Sequence, residues 1–231
     1  MNQRTFRTRR IVITGIIVLI VFVAILASTD MWQQASPEAS PNQTAGAASN
    51  LLTTIPVKGR APKTDYSRSQ FGDGWATIGG CDTRNIILHR DLQKVVIADG
   101  CKVQTGVLDD PYTGKTIQFQ RGSTSSADVQ IDHVVALSNA WQTGAQQLTS
   151  FRRKQLANDP LELLAVDGPA NQAKGDGDAA TWLPPNKSFR CQYVARQIAV
   201  KAKYNLWMTQ AEHDAIASVL SRCPGQLLPT A

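Results

Sequence analysis

The chain has 231 residues, 42% of them hydrophobic, with 24 Lys or Arg against 18 Asp or Glu and a net charge of +6. That balance excludes a disordered or fibrous chain, and the stretch beyond residue 50 is long enough for one domain with a buried core. The positive excess is mild, because Arg4, Arg7, Arg9 and Arg10 contribute before any globular segment begins; it is compatible with a polyanionic partner without demanding one.

Residues 1–10 read as a cytoplasmic basic tail. Ile11–Ala27 is an uncharged run of 17 apolar or small residues, extended by Ser28 and Thr29 to a span of 11–29. This lies at the lower edge of what crosses a membrane. A cleavable signal needs small residues at both −3 and −1, and Phe22 and Ile25 spoil the sites at Ala24 and Ala27. The segment therefore reads as an uncleaved transmembrane signal-anchor, with secretion after cleavage as the alternative. The Arg-rich flank stays inside, which leaves the C-terminal domain outside. Residues 30–50, rich in Ser, Ala, Pro, Gln and Asn, form a flexible linker, and the domain occupies 51–231.

Within the domain, Pro56 and Pro62 keep residues 51–70 extended. Tyr66–Trp75 is an aromatic, Gly-rich loop whose rings pack on the core. Ile86, Ile87 and Leu92 space a short helix over Asn85–Leu92. Strands follow at Lys94–Ile97 and Val103–Val107, then a turn at Asp109–Gly114 and a return strand at Thr116–Gln120. Near the C-terminus, Cys191, Val194, Ala195, Ile198 and Ala202 mark an amphipathic helix from about Ser188 to Tyr204. Thr209 and Glu212 form a capping box that opens a last helix, closed by Pro224-Gly225.

Cys81, Cys101, Cys191 and Cys223 contain no C-x-x-C, which argues against structural zinc and for two disulfides in an oxidising compartment. Of three pairings, Cys81–Cys101 and Cys191–Cys223 are favoured because each joins a local unit. The second would staple the antiparallel C-terminal helices, start to end.

The most informative stretch is Val129–Leu137, with Asp132-His133 inside a β-branched run, followed by a second apolar run from Leu161 to Val166 and by Asn171-x-x-Lys174. Read as strand, loop, strand and short helix, it gathers an imidazole, a carboxylate and an amide oxygen. Neighbours on a strand point to opposite faces, so one of Asp132 and His133 must meet something polar. A buried Asp calls for a metal or a cationic partner. Pro169 suits the first helical turn, which brings Asn171 near a helix N-terminus where backbone amides favour anions. Lys174 shares the face of Asn171 and could hold a phosphate oxygen.

Asp132-His133, Leu161-Glu162-Leu163-Leu164 and Asn171-x-x-Lys174 resemble the ββα-metal core of the HNH endonuclease superfamily. From about Leu51 to Cys223 the chain resembles secreted, actinobacterial-type HNH proteins related to the GmrSD restriction endonuclease C-terminal domain. The motifs that carry this are Cys81–Asn85, Asp110–Gly114, Ile131–Leu137 with Ala140-Trp141 and Gly144-Ala145, Ala157–Pro160 and Trp182–Pro185. The resemblance implies an α+β fold with an HNH core at 129–178, flanking short strands and a C-terminal helical hairpin. It implies His133 as the general base and Asp132 and Asn171 as ligands of Mg²⁺ or Mn²⁺. Where many HNH proteins carry an Asn that orients the histidine, this chain has Glu162; either Asn158 or Glu162 takes that role.

Arg152-Arg153-Lys154 is either a phosphate-backbone track or a solvated helix face. Arg84, next to Asp82 and two Cys-bearing segments, reads as a structural ion pair ahead of a second phosphate contact, and Asp176 and Asp178 read as a solvated loop ahead of extra metal ligands. No base-reading module is visible. The expected activity is metal-dependent hydrolysis of phosphodiesters in DNA, with RNA a further substrate, at little sequence specificity. The alternatives are a non-catalytic anchored nucleic-acid-binding domain and a hydrolase of a cell-wall phosphodiester polymer.

Overall fold

The computed structural model describes residues 47–123 and 125–229. The basic tail at 1–10, the expected membrane segment at 11–29 and the linker up to residue 46 lie outside the described residues. Among the described residues, no helix is long and apolar enough to cross a membrane.

The architecture is mixed, with helices around small antiparallel sheets of two, three and two strands, consistent with α+β. Helix α1 (Ala47–Leu52) starts earlier than composition suggested. Ala48 and Leu52 are buried with the C-terminal helices, so 47–50 belong to the domain rather than the linker. Small Ala and Ser residues hid this, because they read alike in a linker and in a tightly packed helix. A 3-10 turn at Arg68–Phe71 follows, then a small hairpin of β1 (Thr77–Ile78) and β2 (Cys81–Asp82). Its turn is Gly79-Gly80, both at positive φ (59° and 86°), as tight hairpin turns require.

Helix α2 (Thr83–Asp91) begins two residues before the expected Asn85, because the Asp82 carboxylate accepts the Asn85 N–H at 2.7 Å and caps it. The meander β3 (Gln93–Ala98), β4 (Lys102–Asp109) and β5 (Thr116–Gln120) matches the expected strands with slightly longer limits. Gly106 lets β4 pass close to Leu92, since a Cβ there would come within 2.7 Å of the Leu92 side chain and force it to shift.

Next come β6 (Val129–His133), α3 (Leu137–Gln142), α4 (Ser150–Ala157), β7 (Leu163–Asp167) and α5 (Gly168–Lys174). Strands β6 and β7 are antiparallel, with Asp132 opposite Leu164 and His133 opposite Leu163. Helix α5 follows without a loop: Asp167 caps it through the Ala170 N–H at 2.8 Å, Pro169 sits in its first turn, and Gly175 ends it at φ 55°. The expected strand, strand, short helix is therefore present.

Helix α6 (Arg190–Lys203) and helix α7 (Gln210–Leu220) close the chain. Thr209 accepts the Glu212 N–H as expected, and the Thr209 main chain lies against the Glu212 carboxyl. That carboxyl is buried against Lys201, 2.8 Å away. The disulfides are Cys81–Cys101 and Cys191–Cys223, with Cα separations of 5.9 and 6.4 Å. The β6–β7 hairpin separates two apolar clusters. Val129, Ile131, Leu163 and Ala165 pack with α2 and the meander. Leu164 and Val166 pack with α1, α6 and α7.

Candidate active site

Strand alternation sends the two signature residues apart. Asp132 turns towards α5 and is 5% exposed. Its Oδ1 accepts the Lys174 ammonium at 2.9 Å and its Oδ2 accepts the Tyr112 hydroxyl. Lys174 Nζ also donates to the His133 carbonyl at 2.8 Å. The polar partner demanded by the buried carboxylate is thus a cation, and Lys174 is a buried strut rather than a side chain free for phosphate. Burial pushes the Asp132 carboxyl up, against the opposing pull of Lys174 and Tyr112.

His133 turns the other way. Its Nε2 lies 3.0 Å from the Ala157 carbonyl, and its ring stacks on Trp75 with centroids 5.7 Å apart and planes 6° from parallel. A carbonyl only accepts, so Nε2 carries the hydrogen and Nδ1 the lone pair. Burial lowers the imidazole pKa to about 3, with nearby Arg68 and Lys174 adding to the effect. At neutral pH the ring is uncharged, with Nδ1 unprotonated.

Neither Asn158 nor Glu162 touches the imidazole, contrary to the sequence expectation; a main-chain oxygen does that work. Both residues hold the backbone around it. Asn158 accepts the Ala76 N–H at 2.8 Å and donates to the Lys154 carbonyl at 3.0 Å, fixing the neighbours of Trp75 and Ala157. Glu162, wholly buried, accepts the Val135 N–H at 3.1 Å, while its carbonyl accepts the Val134 N–H. Its Oε1 has no partner among the described residues, and burial raises its carboxyl well above the usual range.

A groove of about 580 Å³ opens beside His133, with Asp132, Asn171, Gln130, Arg84 and Arg68 on its walls. Asn171 donates through Nδ2 to Gln130 Oε1 at 2.9 Å, which leaves its amide oxygen for another partner. Arg84 does not pair with Asp82. It lies over Phe119 and donates weakly to the Ser126 and Val129 carbonyls at 3.3 and 3.4 Å, with its guanidinium on the groove.

Arg152, Arg153 and Lys154 lie outside this groove. Arg152 covers Tyr204 at 4.7 Å and donates to the Lys203 carbonyl. Arg153 grips Gln70 through two hydrogen bonds of 2.9 and 3.0 Å. Lys154 runs its stem beside Gly72. Asp178 is not solvated as expected but buried against Arg60 at 2.6 Å. Asp176 accepts from Lys63 and Ser138, which lowers its pKa.

Sequence reasoning missed Arg68, Trp75, Tyr112 and Gln130. Arg68 and Trp75 belong to the loop singled out for its aromatic residues, and Tyr112 to a motif read as a turn and as a mark of the resemblance, with no site role. Their polar roles depend on tertiary placement.

Among the described residues, no group of three or more His, Cys, Asp or Glu could hold a metal ion. Asp132 and Asn171 both border the groove, and a hydrated hard cation takes only one or two protein ligands, completing its shell with water and phosphate.

The family model described as GmrSD restriction endonucleases, C-terminal domain, matches residues 82–219. An uncharacterized secreted protein of Arthroderma benhamiae is 38% identical over 207 residues, covering 87% of this chain and 98% of that protein. No solved structure matches. That relationship points to a nuclease and, in general terms, to a divalent metal and nucleic acid, while the secreted relative and the two disulfides fit an extracellular location. The chain belongs to the family of GmrSD restriction endonuclease C-terminal domains.

Proposed function

We propose that the domain is an HNH-type, metal-dependent endonuclease acting outside the membrane on DNA, with RNA a further substrate, at little sequence specificity. The observation that carries this reading is His133: an uncharged imidazole, its Nε2–H committed to the Ala157 carbonyl, in a groove walled by Arg68, Arg84 and Asn171. Nδ1 accepts a proton from the attacking water, and the Ala157 carbonyl stabilises the imidazolium that forms. Arg68 and Arg84 hold the non-bridging phosphate oxygens and offset the charge that grows on them. Asn171 through its amide oxygen and Asp132 through its remaining lone pairs would hold Mg²⁺ or Mn²⁺. That ion supplies Lewis-acid stabilisation of the phosphorus-bound oxygens and the leaving group. Segment 11–29 is proposed to tether the domain, with a cleaved, secreted form as the alternative.

The test is nicking of supercoiled plasmid by the full chain with and without Mg²⁺ or Mn²⁺, beside His133→Ala. Nicking that requires both metal and His133 is expected; full activity in the variant would overturn the assignment of the base. Metal binding has its own readout. Mn²⁺ at saturation is expected to raise the unfolding temperature of the wild type and not that of Asn171→Ala. Equal shifts in both would remove Asn171 from the ligand set.

A further inference from the structure

The His133 groove does not end at His133. Arg68 and His133 border both the main groove and a constriction of about 140 Å³. Gly72, Gly74 and Trp75 border that constriction and also a further hollow of about 480 Å³, whose far side is Phe151 and Lys154 on α4. Through these shared residues the three hollows adjoin in series, from the one that Asn171 borders to the one that Phe151 borders, and are called the track below.

The track combines cations with open aromatic faces. Arg68 and Lys154 are exposed, and neither forms an ion pair among the described residues. Phe151 is 67% exposed, the most exposed of the large apolar side chains described. A lone exposed phenylalanine is unremarkable. This one shares a hollow with Lys154 and with Trp75, whose ring stacks on His133. Asp132 and Asp176, on the main groove, are paired with Lys174 and Lys63. Asp73 is the carboxylate along the track without a cationic partner among the described residues.

We propose that this track binds single-stranded nucleic acid, its phosphates on Arg68 and Lys154 and a base stacked on Phe151, and presents one phosphodiester to His133. This rests on the phosphodiesterase reading above and narrows its substrate. Free cations that follow a backbone, interleaved with aromatic faces that accept any base, are how proteins hold single strands without reading sequence. In a duplex the bases are stacked on one another and offer Phe151 no face.

The test is fluorescence anisotropy with the full chain and chelator, using a labelled oligothymidylate about 15 nucleotides long and a duplex of equal length. The single strand is expected to bind more tightly than the duplex. Phe151→Ala should weaken single-strand binding about tenfold and Phe151→Tyr should restore it. Lys154→Ala should reduce the salt dependence of log K by about 0.7. Ile97→Ala, an exposed apolar residue on β3 outside the track, should bind as the wild type does. Tighter binding of the duplex, or unchanged single-strand affinity in both Phe151→Ala and Lys154→Ala, overturns the proposal. Metal-dependent hydrolysis of bis(p-nitrophenyl) phosphate by the wild type, lost in His133→Ala, reports on the chemistry alone. Its presence with unchanged track variants refutes the track and spares the nuclease; its absence refutes the nuclease, whatever binds.

Discussion

Lys174→Met tests whether the residue after Asn171-x-x is a strut or a phosphate ligand. The Lys174 and Asp132 side chains are 0% and 6% exposed, with Nζ 2.9 Å from Oδ1. Met keeps the apolar stem and deletes the charge, which strands the Asp132 carboxylate. Removing one member of a buried pair costs about 3–5 kcal/mol. Tyr112 continues to donate to Oδ2, which favours the lower end, about 3 kcal/mol. With a urea slope of roughly 2 kcal/mol per molar, the unfolding midpoint should fall by roughly 1.5 M. Adding Asp132→Asn removes the stranded charge, so the double variant should be more stable than Lys174→Met alone; the cycle measures the pair's coupling. The assay is urea unfolding followed by circular dichroism. A Lys174→Met midpoint indistinguishable from wild type would refute the strut and return the ammonium to the groove.

His133 gives a pH signature. Its folded pKa of about 3 lies below its ordinary value of 6.5, so the unfolded chain binds the extra proton between those limits. The stability that His133 contributes is present above pH 6.5 and is lost on acidification at about 1.4 kcal/mol per pH unit. His133→Asn should lack that component, and identical pH slopes in urea titrations of the two proteins would contradict the burial. Glu162 has the opposite sign: its folded pKa is raised, so its contribution is present below the ordinary value and lost as pH rises through the folded one. Glu162→Gln should therefore gain on the wild type as pH rises above the ordinary 4.5, with the widening gap in unfolding midpoint as the measurement. Replacing Cys191 and Cys223 by Ser opens a loop with a sequence separation of 32, which should cost about 3–4 kcal/mol in thermal or urea unfolding. A cost near zero would mean that α6 and α7 hold together without the staple.

The strand–strand–helix unit was legible because its signals are local. β-branched residues, Pro169 and Gly175 state where β6 and α5 begin or end, and each acts within a few residues. The disulfides were legible for a related reason: each closes a unit already delimited in the chain. Side-chain partners were not. Lys174 and Asn171 share a helical face in the sequence pattern, yet burial turns Lys174 under the hairpin to Asp132 and leaves Asn171 at the groove. The orientation of His133 was illegible for a stronger reason. Its partner is a main-chain carbonyl at Ala157, and any residue there presents the same oxygen. What the sequence carries instead is Asn158, which clamps the backbone next to that oxygen.

The two walls of the groove differ in origin and in rigidity. One wall is β6 with α5, inside the family match at 82–219. It stands on the buried Asp132–Lys174–Tyr112 network and on Glu162, so its polar atoms are held by several bonds each. The other wall is the segment from Tyr66 to Trp75, which precedes that match. It is anchored by the grip of Arg153 on Gln70, by the edge-on packing of Tyr66 and Phe71 against Trp141, and by the stack of Trp75 on His133. Gly72 and Gly74 adopt positive φ of 107° and 112°, conformations that glycine enters at little cost. The wall that fixes the base and the proposed metal ligands is thus the over-determined one. The wall that supplies Arg68 is held at a few points and lies outside the family's shared segment. The first wall carries the proposed base and metal ligands, and the second supplies Arg68, which the proposals place on phosphate. Substitutions at Arg68 should accordingly change which nucleic acids are bound before they change the protonation of His133.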